Sequence, residues 1–92
     1  MDYTTVHDQD VCRFEVVEPS EIAYLQYEVK DGVLDILHIY VPSDLEGNGI
    51  ASLLVNEAMK YGVKKRLLIR PTCPFAKAFF TKHVELKNYL SI

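Results

Sequence analysis

The segment Val41-Pro42-Ser43-Asp44-Leu45-Glu46-Gly47-Asn48-Gly49-Ile50-Ala51 joins an apolar run, stopped by a proline, to an amphipathic run that opens just past two glycines. A helix starting there leaves its first backbone N–H groups without intrahelical partners, at the positive end of the macrodipole, and glycines let an anion approach the main chain closely. The chemistry this arrangement suits is capture of a phosphorylated small molecule. Gly47-Asn48-Gly49 is not the full dinucleotide fingerprint, and no lysine follows it as in a Walker loop, so a purely structural turn is the competing reading.

Cys73 is the second chemical candidate. It directly precedes Pro74, and proline is favoured at the first helical position, so the thiol is expected near a helix N-terminus, where a thiolate is stabilised. A nucleophile and a small buried hydrophobe both suit that placement. His38 interrupts an otherwise apolar run and is either a hydrogen-bonded structural histidine or a base acting on an incoming amine or on Cys73. Cys12 begins an apolar alternation with no charged partner nearby and is expected in the core. Neither the two cysteines nor His7, His38 and His83 show the spacing of a metal site or a dithiol motif, so no metal is expected.

Short elements must position these residues. Residues 1–10 are polar and unpatterned, which predicts a loose end. Cys12, Phe14 and Val16 alternate with Arg13, Glu15 and Val17 up to the turn signal Glu18-Pro19-Ser20, which predicts a half-buried strand. A second strand over 22–29 puts Ala23, Leu25, Tyr27 and Val29 on one face, and Asp31-Gly32 supplies a tight hairpin turn. Residues 33–41 are apolar on both faces, with Val33, Leu37, Ile39 and Val41 on one and Leu34, Ile36 and Tyr40 on the other. That pattern predicts a central strand covered on both sides.

Ile50, Leu53, Leu54, Ala58 and Tyr61 recur at helical spacing, so a helix is expected from about Asn48 to Tyr61, ended by Gly62. Leu67-Leu68-Ile69 follows as a short strand, and a crossover of this length implies a right-handed unit with its two strands parallel. A last helix is expected over Phe75 to His83 with Phe75, Phe79 and Phe80 in the core, and residues 85–92 form a further helical turn or a docked tail. The expected architecture is one α/β domain over 1–92. Its mixed sheet runs from an antiparallel meander into one parallel β-α-β unit, with helices on its faces.

Ninety-two residues with 49% hydrophobic and 25% charged content suit a single globular domain. A formal net charge of −3 argues against a nucleic-acid partner, and the one basic run, Lys64-Lys65-Arg66, reads as a solvated connection. No apolar run approaches the ~18 residues of a membrane span, and residues 1–8 lack the basic and apolar regions of a signal peptide. A cytoplasmic protein is expected, monomeric by preference, whose free thiols suit a reducing compartment.

The order of strand, Val-Pro, acidic step, Gly-x-Gly-Ile-Ala and amphipathic helix resembles the acetyl-CoA motif of the GNAT superfamily of N-acetyltransferases. It is most similar to a subgroup of very short, single-domain GNAT-like proteins with a Pro-x-Cys-Pro segment before the last helix. His38-Ile39-Tyr40-Val41-Pro42 and Pro71-Thr72-Cys73-Pro74-Phe75 carry the likeness, which extends over residues 22–90. It implies that the backbone amides of Glu46, Gly47, Asn48, Gly49, Ile50 and Ala51 hold the pyrophosphate of acetyl-CoA. It further implies that Ile39 and Val41 pair through their main chains with the pantetheine arm, between two parallel strands that splay apart. The acetyl thioester then lies near the ends of 33–41 and 67–70, where Cys73 and His38 face it, and Lys77 and Lys82 are candidates for the remaining phosphate. The chain departs from the family pattern at Asp44, where Gln or Arg is usual, and at Glu46, where a basic residue is frequent. These two carboxylates either oppose the pyrophosphate or simply favour the helix dipole.

The function so implied is binding of acetyl-CoA and transfer of its acetyl group to an amine acceptor that the sequence does not identify. In a direct route Cys73 only shapes the site; in a two-step route it attacks first and carries the acetyl group. A non-catalytic acetyl-CoA-binding module and a thiol sensor centred on Cys73 are the alternatives.

Overall fold

The computed structural model describes residues 3–18 and 21–91, so the Pro19-Ser20 part of the expected turn lies outside the described residues. Strands β1 (Thr5–Asp8), β2 (Arg13–Glu18), β3 (Glu21–Lys30), β4 (Val33–Tyr40) and β5 (Leu68–Pro71) form one sheet in sequence order. The first four are antiparallel neighbours and β5 lies parallel to β4. Helix α1 (Ile50–Lys64) makes the crossover from β4 to β5, and α2 (Pro74–Lys82) follows β5. A 3-10 segment, Val84–Tyr89, then leads to Leu90, which bridges Ile69 on the outer edge of β5. The meander leading into a parallel unit is the mixed sheet that the alternating pattern and the crossover length predict. Among the described residues, no helix is long and apolar enough to cross a membrane.

The core lies against a single face of the sheet. Val16, Ala23, Leu25, Leu34, Ile36 and Ile69 are fully covered, and they meet Leu54, Val55 and Ala58 of α1 and Ala76, Phe79 and Phe80 of α2 in one cluster. Val17, Ile22, Tyr40 and Leu68 point the other way and are exposed. Strand β4 is therefore central but covered on one side only, against expectation, and both helices share that side. The reason is a bulge. Tyr27 pairs with Ile36 while the adjacent Gln26 pairs with His38, which leaves Leu37 as an extra residue. The alternation shifts by one there, so Ile39 returns to the helix side beside Ile36 instead of opposing it.

Helix α1 starts at Ile50 and runs through Gly62 to Lys64, longer than its glycine suggests. Gly62 is not a stop but a point of close packing: a Cβ built on it would stand 2.7 Å from Cδ1 of the fully buried Ile69. The chain leaves the helix after Lys64, and Arg66 takes a left-handed φ of 59°.

Residues 5–8, expected to be loose, form an edge strand in register with β2, from Thr5 opposite Val16 to Asp8 opposite Arg13. Two polar side chains anchor it. The Thr5 hydroxyl donates to a carboxylate oxygen of Glu57 at 3.0 Å, and the His7 ring stacks on Phe14 at 4.0 Å between centroids. His7 Nε2 also lies 2.6 Å from the Tyr27 hydroxyl, with Tyr61 edge-on to the imidazole at 4.5 Å. Polar residues facing inward hid this strand from a hydrophobic pattern. Cys12, expected in the core, occupies the β1–β2 turn at a φ of 56° and is half-buried.

Burial among these rings lowers the pKa of His7 from its ordinary value, an effect that the neighbouring Asp8 opposes, and burial first of all pushes Tyr27 up to about 12. Tyrosine thus keeps its proton to donate and the neutral imidazole accepts it. Because the folded chain resists protonating His7, the unfolded chain binds that proton first as pH falls. The contribution to stability is present above the ordinary histidine value and declines below it, toward the lowered one. Urea unfolding is expected to weaken between about pH 7.5 and 5.5, and His7→Phe, which keeps the stack on Phe14, should flatten that part of the profile.

Candidate functional site

Strands β4 and β5 are paired for only part of their length. Their register runs from Val33 opposite Leu68 to Ile36 opposite Pro71, and one further bond, Cys73 N–H to the Ile36 carbonyl at 2.9 Å, ends the contact. The chain then turns away into α2, whose first residue is Pro74 and whose N-cap is Cys73. Strand β4 continues to Tyr40 with β3 on one edge and, among the described residues, no strand on the other. Since the Ile36 carbonyl points toward β5 and the bulge shifts the alternation by one, the amide and carbonyl of Ile39 also face the gap.

The gap widens into a cleft of about 690 Å³. Of the residues singled out in the sequence, Ile39, Val41, Glu46, Gly47, Gly49, Ile50 and Ala51 line it together; Tyr40, Leu45, Ser52 and Phe75 complete the wall. Asn48 is not in the wall but braces the loop, its side-chain amide donating to the Leu45 carbonyl at 3.1 Å. Gly47 and Gly49 hold φ values of 82° and 76°, and among the described residues nothing lies within 4 Å of a Cβ placed on either. Glycine is needed there for backbone conformation, and the space beside it is free for a ligand.

Gly49 is the N-cap of α1. It has no side chain to cap the helix, no acid stands in the first turn, and the first loop-to-helix bond is from Leu53 N–H to the Gly49 carbonyl at 3.0 Å. The amides of Ile50, Ala51 and Ser52 therefore meet the cleft without a cap from the chain itself, which makes them donors for an anion. Side-chain charge adds nothing to this attraction. Among the described residues, no lysine or arginine lines the cleft, and Glu46 borders it while Asp44 does not.

The two candidate catalytic side chains lie apart. Cys73 is 5% exposed, packs within the core cluster on the helix side and does not line the cleft. His38 is exposed on the opposite face, its ring 5.9 Å from that of Tyr24, which neighbours Tyr40 at 5.7 Å and carries the Arg13 guanidinium at 3.9 Å. Phe75 is the residue that periodicity misplaced. Starting α2 at Pro74 turns Ala76, Phe79 and Phe80 inward and leaves Phe75 41% exposed on the cleft wall. A proline at the first helical position was the signal for that phase.

A parallel pair that separates beside an uncapped helix defines a class, and comparison with known proteins agrees. The family described as GCN5-related N-acetyl-transferase matches residues 13–89. The solution structure of a GCN5-like protein from Staphylococcus aureus is similar with a TM-score of 0.77, covering 97% of this chain and 88% of that one at 20% identity. The chain belongs to the GCN5-related N-acetyltransferase family.

The left-handed conformation of Gly49 sets a measurable constraint. Gly49→Ala is expected to lower unfolding free energy by about 1–2 kcal/mol in urea titration, whereas Gly49→Asn, which tolerates that conformation, should recover most of the loss.

Proposed function

We propose that this protein binds acetyl-CoA across the β4–β5 cleft and transfers its acetyl group to an amine. The observation that carries this reading is the joining, in one cleft, of an unpaired length of β4 to the uncapped first turn of α1. The main-chain amides from Gly47 to Ala51 hold the diphosphate, and Ile39 and Val41 pair with the amide groups of the extended pantetheine arm as a missing strand would. Family membership supports acetyl transfer as the general activity.

Acetyl-CoA supplies an acetyl group already activated as a thioester. What the chain adds is position and a route for a proton. An amine attacks only when neutral, and His38, exposed on the open face of the sheet just past the last β4–β5 pair, is the group we assign to take the proton from an acceptor arriving on that side. Cys73 is buried in the core cluster and outside the cleft wall, and this favours the direct route over one with an acetylated cysteine.

Titration with coenzyme A is expected to shift the amide resonances of Gly47, Gly49 and Ala51. Saturating ligand that leaves all of them in place would overturn the reading. Intact mass after exposure to acetyl-CoA should show no adduct; one lost in Cys73→Ala and kept in Cys12→Ala would establish the two-step route instead. His38→Gln should lower kcat/KM by about a hundredfold with coenzyme binding intact. Binding without any release of coenzyme A across a panel of amines would identify a non-catalytic module.

A further inference from the structure

The open face of the sheet carries an apolar patch beside His38. Val17 of β2 and Ile22 of β3 lie opposite each other in register and are exposed, as are Leu37 and Tyr40 of β4. Tyr24 follows Ile22 by two residues on the same face and joins the two groups. Its ring stands 5.7 Å from that of Tyr40, its register partner, and 5.9 Å from that of His38. The bulge adds to this surface by placing the extra Leu37 next to His38, both of them exposed. Tyr40 also lines the cleft, so patch and cleft are continuous.

We infer that this patch selects the acceptor, an amine with an apolar body and no second positive charge; the inference rests on the acceptor reading above, in which His38 takes a proton on this face. The charges around the patch favour such a molecule. The cation beside it, Arg13, lies over the Tyr24 ring at 3.9 Å. Its Nε donates to Gln26 Oε1 at 2.9 Å, and Gln26 Nε2 donates to the Val11 carbonyl at 2.7 Å, so the guanidinium is held where it repels a second ammonium. The carboxylate on that side, Glu15, already lies 3.6 Å from Arg13 Nη1. Glu18 and Glu21 adjoin Val17 and Ile22 in sequence and alternate to the other face. Toward the hairpin, Glu28 and Asp35 stand opposite each other, but they share their depression with Lys30 and Arg70, and Asp35 accepts the Thr72 hydroxyl. An apolar body laid on the patch releases water from both surfaces. It also surrounds the amine with a less polar medium, which favours the neutral form that attacks.

Release of coenzyme A from acetyl-CoA by the full chain, measured with 2-phenylethylamine, ethanolamine and 1,4-diaminobutane, tests this directly. kcat/KM is expected to be about tenfold higher for 2-phenylethylamine than for ethanolamine, as partial cover of one phenyl ring allows, and no higher for the diamine than for ethanolamine. Ile22→Ser and Val17→Ser should each cut the tenfold ratio to about threefold. Val63→Ser, which removes exposed apolar surface from α1 instead, should keep it. The ratio is insensitive to partial loss of folded protein, because both amines report on the same active fraction. An equal or reversed ratio, a preference for the diamine, or a ratio that survives both patch variants would overturn the proposal while leaving acetyl transfer in place. Sedimentation showing a wild-type dimer that Ile22→Ser dissociates would give the face to a second copy of the chain and overturn it too. Coenzyme binding with no release for any amine would remove the catalytic reading and this inference with it.

Discussion

A strand in the middle of a sheet must satisfy main-chain groups on both of its edges, and β4 has a second strand beside it for only half its length. The cause is local. Pro71 closes β5 and Pro74 opens α2, so after the single Cys73-to-Ile36 bond the chain is committed to a helix and departs from the sheet. The bulge at Leu37 then sets which groups of β4 are left over, turning Ile39 to the vacant edge and its side chain to the helices. The cleft, its lining and its direction all follow from that one interruption. A sheet that continued its pairing to Tyr40 would have no room for a ligand and no donors to offer it.

Recognition of an anion by amides alone carries its own electrostatic logic. Helix amides keep their polarity at any pH and need no counter-ion, so the loop tolerates Asp44 and Glu46 at exposed positions where solvent screens them. Among the described residues, no lysine or arginine joins the glycine loop in the cleft wall, so the charge that this loop could offer an anion is that of its main chain.

Much of this was legible in the sequence, because the signals were of kinds that survive folding. The hairpin at Asp31-Gly32 was marked by residues that accept left-handed angles, and both take them, at 53° and 78°. The apolar period of α1 and the length of the crossover implied the parallel pair. The glycine loop and the strand before it pointed to the residues that share the cleft. Other features depended on distant neighbours. Nothing in Leu37 announces a bulge, since an apolar residue suits either face, and without the bulge β4 reads as buried on both sides. Thr5 and His7 look solvated until Glu57 and Tyr27 are brought to them. Gly62 carries the mark of a helix end, yet its lack of a side chain serves Ile69, a contact made only after the crossover has folded back. Phe75 turned on a phase shift of one residue in α2.

The two outer edges of the sheet are unequal. At β5, Leu90 occupies the place of a further strand and the Ser91 amide donates to the Ile69 carbonyl at 2.7 Å, so that border is closed by the chain itself. At β1 the outward row of main-chain groups has no strand beside it among the described residues. Of these two outer borders, only that of β1 is therefore open to strand addition among the described residues. Two molecules joined through that border would present the two β5 borders outward, each already occupied by Leu90, so pairing of this kind would end at a dimer.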